Sequence, residues 1–139
     1  MIDRVLIVED HEIVRRGICA LLSRDPTLVV IFQTADGEEA VKKAQELQPT
    51  LILLDVTLPG MSGIEAAYRL REVSPASKII FLSQHDSLQI VKNAFKTGGH
   101  GYVLKSDAAL DLLDAIRCVR EGNQFVSERL LTQGWRPDA

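Results

Sequence analysis

The stretch Leu51-Ile52-Leu53-Leu54-Asp55 is an uninterrupted apolar run that ends on a carboxylate. Three further apolar runs also end on polar residues. These residues are Glu9-Asp10, Ser83 and Lys105. Continuous apolar runs are typical of parallel strands that are buried on both faces of a sheet. Ligands of such sheets bind at the carboxyl ends of the strands. The sequence therefore predicts that three acids, one hydroxyl and one amine meet at one edge of one sheet.

Segments with helical periodicity separate these runs, and one more apolar run lies at 28–32. Five predicted strands and five predicted helices alternate along the chain. Such alternation predicts an α/β fold with a parallel sheet covered by helices on both faces. We expect the flavodoxin-like (βα)5 arrangement, with five strands in the order 2-1-3-4-5. Three helices are predicted to begin with an N-cap residue that is followed three residues later by Glu or Gln. The pairs are Asp36 with Glu39, Ser62 with Glu65, and Asp86 with Gln89.

Length and composition predict one domain. The chain has 139 residues, 46% of them hydrophobic and 25% charged, and a net charge of −3. This charge argues against direct binding of nucleic acid by this segment. The apolar runs are too short to cross a membrane, and the first residues lead straight into a strand, so we expect a cytoplasmic protein with two reduced thiols, Cys19 and Cys118. We expect the domain to cover residues 1–123 and a tail to cover 124–139.

The acids at the predicted sheet edge favour a metal site. A lone Asp55 after a strand is most often a cap or turn residue, although it could also be a metal ligand or a nucleophile. Glu9 and Asp10 end the neighbouring strand, and three carboxylates this close would repel one another without a cation among them. Oxygen ligands favour Mg²⁺. Asp10 could in addition cap the first helix.

Lys105 and Ser83 complete the predicted site. A lysine is usually a solvated surface charge, and a serine after a strand is usually a cap. Here each follows an apolar strand that delivers it to the edge where the acids collect. An ammonium and a hydroxyl at that place suit phosphate oxygens. The residues together therefore predict phosphoryl-transfer chemistry.

Four segments carry a resemblance to a known family. They are VLIVEDHEIVRRGI at 5–18, DVTLPGMSGIE at 55–65, FLSQHD at 81–86 and GGHGYVLKS at 98–106. Over about residues 3–127 the chain resembles the receiver domain of bacterial two-component response regulators. The first segment is similar to the subgroup with a LuxR-type (NarL/FixJ-like) helix-turn-helix output.

The resemblance implies a role for each site residue. Asp55 would accept a phosphoryl group from a sensor histidine kinase, and Lys105 would pair with its oxygens. Ser83 would move toward the phosphate, and Tyr102 would turn inward as it does so. The implied Mg²⁺ ligands are Glu9, Asp10, Asp55 and the backbone carbonyl of Thr57. Such a protein is an autocatalytic phosphoacceptor and not a turnover enzyme.

The resemblance also implies partners. We expect a homodimer on activation, through helices 1 and 5 or through the helix 4–strand 5–helix 5 face. Contact with DNA would need a further domain, and residues 127–132 are similar to the start of the linker to it. A stand-alone or phosphorylation-independent interaction module is the alternative. A phosphohydrolase fits less well, because Thr57 stands where such enzymes usually place a second acid. Gln84, beside Ser83, is bulky and could narrow access to Asp55.

Overall fold

The computed structural model describes residues 2–136 and shows one parallel sheet in the order β2-β1-β3-β4-β5-β6. The strands are β1 (Asp3–Val8), β2 (Leu28–Thr34), β3 (Leu51–Asp55), β4 (Lys78–Ser83), β5 (Gly101–Leu104) and β6 (Phe125–Val126). The helices are α1 (Glu12–Leu22), α2 (Gly37–Leu47), α3 (Gly63–Val73), α4 (Leu88–Lys96), α5 (Ala108–Arg120) and α6 (Glu128–Thr132). A short 3₁₀ turn, Lys105–Asp107, joins β5 to α5.

The α/β class and the order of the first five strands are confirmed, but the predicted number of strands is wrong. The sixth strand pairs Phe125 with Gly101 and Val126 with Tyr102. A strand of two residues is too short to show a period in the sequence. Only its pairing with β5 makes it recognisable, so sequence reasoning placed it in a tail.

Helices cover both faces of the sheet, as predicted. Along β1, Leu6 and Val8 enter one buried apolar cluster, whereas Val5 and Ile7 enter the other. The first cluster lies under α2, α3, α4 and α6, and the second lies under α1 and α5. This alternation is the two-residue period of a strand, and burial on both faces explains why the strands read as continuous apolar runs.

Two of the four predicted helix caps are present; Asp10 is not the cap of α1, because His11 occupies that position. The side chain of Asp36 accepts the N–H of Glu38, and that of Ser62 accepts the N–H of Glu65. The prediction of Asp86 as the cap of α4 is wrong, because Ser87 occupies the N-cap position and its side chain makes no capping hydrogen bond.

Across residues 2–136, none of the helices combines the length and the apolar character that a bilayer-spanning segment needs.

Candidate functional site

Asp55 is the last residue of β3, and only 2% of its surface is exposed. Its Oδ2 accepts a hydrogen bond from Lys105 Nζ at 2.8 Å, and its Oδ1 accepts one from the N–H of Thr57 at 3.0 Å. Burial raises the pKa of Asp55 to about 6, with a smaller contribution from Glu9, although Lys105 and Thr57 oppose the shift. The carboxylate is therefore largely ionised at neutral pH but is poorly solvated.

Glu9 and Asp10 follow β1 directly. Glu9 is fully buried, and its Oε1 lies 2.7 Å from Lys105 Nζ. Its Oε2 accepts the N–H of His11 at 3.0 Å. The ring of His11 is 61% exposed, and its Nδ1 lies 3.1 Å from Glu9 and 3.3 Å from Asp10. His11 therefore borders the acids from the solvent side.

The acids have the donor set that a hard cation requires. One ligand atom from each of Glu9, Asp10, His11 and Asp55 lies within 4.8 Å of the others. Asp10 Oδ1 is buried and accepts no well-aligned hydrogen bond within residues 2–136, although the His11 ring nitrogen lies 3.3 Å away. A buried carboxylate oxygen without a hydrogen-bond donor is costly unless a charge neutralises it. The three carboxylates therefore fit Mg²⁺, which prefers oxygen ligands.

Lys105 lies between two of the acids. Its side chain is only 15% exposed, and its Nζ contacts both Glu9 and Asp55. Burial opposes the charged form, but the hydrogen bonds and charges of Asp55 and Glu9 outweigh it and raise the pKa of Lys105. The residue is a permanent cation beside the Asp55 carboxylate.

Ser83 and Tyr102 lie behind the acids on neighbouring strands, and neither is exposed. Ser83 Oγ accepts the N–H of His85 at 2.9 Å. The hydroxyl of Tyr102 donates to the carbonyl of His85 at 2.8 Å. Burial raises the pKa of Tyr102 to about 12, so its hydroxyl stays a donor at neutral pH. One loop residue thus joins the two predicted switch residues.

His85 is the site residue that sequence reasoning missed. Its Nε2 lies 2.8 Å from Thr57 Oγ1, so a hydrogen bond links the loop after β3 to the loop after β4. Gln84, which was expected to narrow access to Asp55, is exposed. The only signal in the sequence was the position of His85, two residues after a strand that ends in Ser83.

Gly63 fixes the loop that carries Thr57. Its N–H donates to the carbonyl of Val56 at 2.6 Å. A Cβ at this position would overlap the backbone carbonyl oxygen of Asp55. The first turn of α3 therefore packs directly on the end of β3, which holds the Asp55 backbone in place.

The predicted acids, Ser83 and Lys105 thus lie at one sheet edge. Comparisons with known proteins show which family the chain resembles. A family model described as the response regulator receiver domain matches residues 5–117. The chain is 36% identical over 126 residues to the nitrate/nitrite response regulator protein NarL of Escherichia coli K12, covering 91% of this chain and 58% of the relative. It is 34% identical over 129 residues to the transcriptional activator protein ExaE of Pseudomonas putida, covering 93% of this chain and 60% of the relative.

A solved structure is similar over nearly its whole length. It is a two-component response regulator of the LuxR family from Aurantimonas sp. SI85-9A1, with a TM-score of 0.90 and 33% identity. The match covers 95% of this chain and 94% of that one. By contrast, the chain spans only about 60% of the length of the curated relatives that it matches.

Proposed function

The chain belongs to the response regulator receiver domain family, among regulators of the NarL/LuxR type, and from this premise we propose that Asp55 accepts a phosphoryl group from a sensor histidine kinase. The observation that carries the proposal is the ammonium of Lys105, which lies between the buried carboxylates of Asp55 and Glu9. An interaction module that did not use phosphate would have no need for this costly burial of charges. Each transfer adds one phosphoryl group to one chain, so the protein is a phosphoacceptor and not a turnover enzyme.

In the transfer, a carboxylate oxygen of Asp55 forms a bond to phosphorus while the bond from phosphorus to the kinase histidine nitrogen breaks. The protein does little covalent chemistry in such a reaction beyond positioning and charge neutralisation. Asp55 must be ionised to attack, and its pKa of about 6 satisfies this at neutral pH. Lys105 already donates a hydrogen bond to Asp55. After the transfer its ammonium would donate to an oxygen of the phosphoryl group.

Glu9, Asp10, Asp55 and the backbone carbonyl of Thr57 would hold Mg²⁺, which supplies positive charge against the repulsion between the carboxylate and the incoming anion. The buried Asp10 oxygen that lacks a hydrogen bond within residues 2–136 supports this assignment. Lys105 also neutralises part of the acidic charge, so the carboxylates can stay close together before the cation binds.

The response to phosphate would begin at Ser83. Its Oγ accepts the N–H of His85 in the present arrangement, so its own proton can be donated to an oxygen of the new group. Movement of Ser83 would pull on His85, whose carbonyl holds the Tyr102 hydroxyl. We propose that Ser83 and Tyr102 form the switch that carries the signal to α4, β5 and α5.

The output would be transcriptional and would need a DNA-binding domain outside this chain. We propose that residues 1–123 form the receiver domain and that 124–139 begin the linker to that output, with the first part of this linker packed on the domain through β6 and Leu130. Activation would pair two copies of the chain. The groove between α1 and α5 is the better surface for this pairing, since the protein's own residues 125–135 cover the edge of β5.

The proposal is tested by incubating the chain with acetyl phosphate and Mg²⁺ and weighing the intact protein. We expect one added phosphoryl group in the wild type and in Asp86→Asn, a matched change of an acid in the neighbouring loop. We expect none in Asp55→Asn. Uptake by Asp55→Asn at the wild-type rate would remove Asp55 from its role, and no uptake by the wild type would overturn the proposed function.

A further inference from the structure

His11 is a side chain at the acidic edge of the sheet to which the proposed phosphoryl transfer gives no role. Its backbone is held at both ends, because its N–H donates to Glu9 Oε2 at 3.0 Å and its carbonyl accepts the N–H of Arg15 at 2.9 Å. His11 occupies the N-cap position of α1, but its side chain makes no capping hydrogen bond to that helix. The backbone therefore fixes where the imidazole ring lies, and helix capping does not use the ring.

The ring presents Nδ1 to two carboxylates at the spacing of metal ligands. Nδ1 lies 3.1 Å from Glu9 Oε2 and 3.3 Å from Asp10 Oδ1. Two neighbouring ligand atoms of a tetrahedral zinc ion, each about 2.0–2.1 Å from the metal, are about 3.3 Å apart. An oxygen of Asp55 completes a group of four atoms that all lie within 4.8 Å of one another. The ring nitrogen is thus already placed as a neighbour of the carboxylate ligands.

A hydrogen bond accounts for only one of these two contacts. Nδ1 is aligned with Glu9 Oε2, whereas the buried Asp10 Oδ1 accepts no well-aligned hydrogen bond within residues 2–136. Lys105 does not neutralise Asp10, because its ammonium contacts Glu9 and Asp55. One cation between Asp10 and the ring would satisfy both the buried carboxylate oxygen and the lone pair of a neutral imidazole.

We propose that His11 is a metal ligand and that it strengthens the preference of this site for transition-metal cations such as Zn²⁺ over Mg²⁺. The inference rests on the proposed function, whose metal site it deepens. Imidazole nitrogen suits Zn²⁺ and similar cations, whereas Mg²⁺ prefers oxygen ligands. The acids would hold Mg²⁺ without His11, but they would hold Zn²⁺ together with its Nδ1, so the two cations would compete. Because the ring is 61% exposed, Nε2 can carry the ring proton and donate it to water.

The test compares two histidine variants of the full chain. His11→Asn removes the imidazole but keeps a side chain that can donate a hydrogen bond to Glu9. Asparagine is among the preferred N-cap residues, so α1 should form normally in this variant. His100→Gln is the matched control, because His100 precedes β5, at the opposite end of that strand from Lys105, and its Nδ1 accepts the N–H of Ile79.

Isothermal titration with Zn²⁺ and, separately, with Mg²⁺ gives the affinity of each chain for each cation. A residue that only orients a metal ligand already contributes about 10- to 100-fold to metal affinity, so we expect His11→Asn to weaken Zn²⁺ binding at least about tenfold. The Mg²⁺ affinity of His11→Asn should be unchanged, as should both affinities of His100→Gln. Excess Mg²⁺ should weaken the apparent binding of Zn²⁺ to the wild type, because both cations use the same acids.

NMR of the ¹⁵N-labelled histidine rings observes the ligand directly. The Nδ1 resonance of His11 is assigned by its absence from the spectrum of His11→Asn. We expect Zn²⁺ to shift this resonance in the wild type and to leave the ring resonances of His100 in place.

The outcomes separate the two proposals. An equal loss of Zn²⁺ and Mg²⁺ affinity in His11→Asn would mean that His11 only orients Glu9, and the inference would be wrong. Absent or unchanged Zn²⁺ binding, an unshifted His11 resonance, or Zn²⁺ binding with which Mg²⁺ does not compete would also overturn it. In each of these cases, phosphoryl uptake by the wild type with Mg²⁺ would leave the proposed function intact. A wild type that binds Zn²⁺ through His11 but takes up no phosphoryl group would refute the proposed function alone.

Discussion

At the scale of single residues, Asp55 combines a functional need with a cost in stability. It ends an apolar strand and is almost fully buried, which raises its pKa to about 6 against 3.8 for an ordinary aspartate. A nucleophile with little water around it and a lysine beside it is suited to phosphoryl transfer. The same burial makes the ionised form unfavourable in the folded state.

This cost gives a prediction about pH. Because the folded pKa is the higher one, the contribution of Asp55 to stability should fall as pH rises from about 4 to 6 and should stay lower above that range. Asp55→Asn removes the penalty but also the ion pair with Lys105, so we expect its free energy of unfolding to be higher by at most about 3 kcal/mol at pH 8 in EDTA. Urea titrations at pH 4 and pH 8 measure the difference, which should nearly vanish at pH 4. An equal difference at both pH values would contradict the assignment.

His85 gives a second prediction at this scale. Its contact with Thr57 bridges the two loops beside Asp55. We expect His85→Ala to open this side and to raise the initial rate of phosphoryl uptake from acetyl phosphate several-fold. Gln84→Ala, a change of its exposed neighbour, serves as the control and should leave the rate unchanged. A slower rate in His85→Ala would show that His85 assists uptake and does not obstruct it.

At the scale of elements, the junction between β3 and α3 positions the site. Gly63 begins α3 where only a residue without a Cβ fits against the Asp55 carbonyl. The parallel strands β1 and β3 then bring Glu9 and Asp55 to the same edge, with Val8 paired to Leu54. Two local constraints, a register and a missing side chain, therefore set the distance between the acids.

We expect Gly63→Ala to lower the free energy of unfolding by about 1–3 kcal/mol, the usual cost of overpacking, and to reduce phosphoryl uptake. Gly17→Ala is the matched control, since a Cβ at this position in α1 meets nothing within 4 Å. This change should stabilise the protein by about 0.5–1 kcal/mol, because alanine is the better helix former. Urea unfolding of both variants makes the comparison. Similar losses in both would mean that the close packing at Gly63 is unimportant.

At the scale of the whole molecule, the outer edge of β5 is covered, whereas the surface between α1 and α5 is open. Residues 125–127 pair with the outer edge of β5, but α1 and α5 leave an open groove of about 410 Å³. Val14, Ile18 and Leu21 line it on one side, and Ala108 and Ala109 on the other. Ile13, the neighbour of Val14 in the chain, is 85% exposed, whereas the exposed Leu110 lines a separate pocket with Glu128 and Arg129. Apolar surface of this kind favours contact with a second copy of the chain.

Sedimentation with Mg²⁺ and beryllium trifluoride tests this surface. Burying an isoleucine side chain contributes roughly 1.5–3 kcal/mol, so Ile13→Asp should weaken the activated dimer at least about tenfold. Ala109→Asp, which places a charge in the wall of the groove, should weaken it as well. Tyr68→Asp, which alters an exposed apolar residue on α3, should have no effect. A dimer unchanged by both α1 and α5 substitutions would place the contact elsewhere.

The sequence by itself determined the α/β class, the order of the first five strands and the set of residues at the sheet edge. Continuous apolar runs identify buried parallel strands, and the residue that ends each run must then lie at the carboxyl edge. These properties depend on local periodicity and on the geometry common to parallel sheets. The chemical character of Asp55, Glu9, Ser83 and Lys105 could therefore be inferred before any distance was known.

Only the tertiary structure decided the features that depend on contacts between distant segments. The loop containing His85 is held by Ser83 and Tyr102, and the N–H of Leu104 finds its acceptor in Ser127, 23 residues away. β6 and the burial of Trp135 likewise require β5 and α4 to be in place. A hydrogen bond or a stacked ring pair between remote residues leaves no periodic trace in the sequence, because chain folding alone brings the partners together.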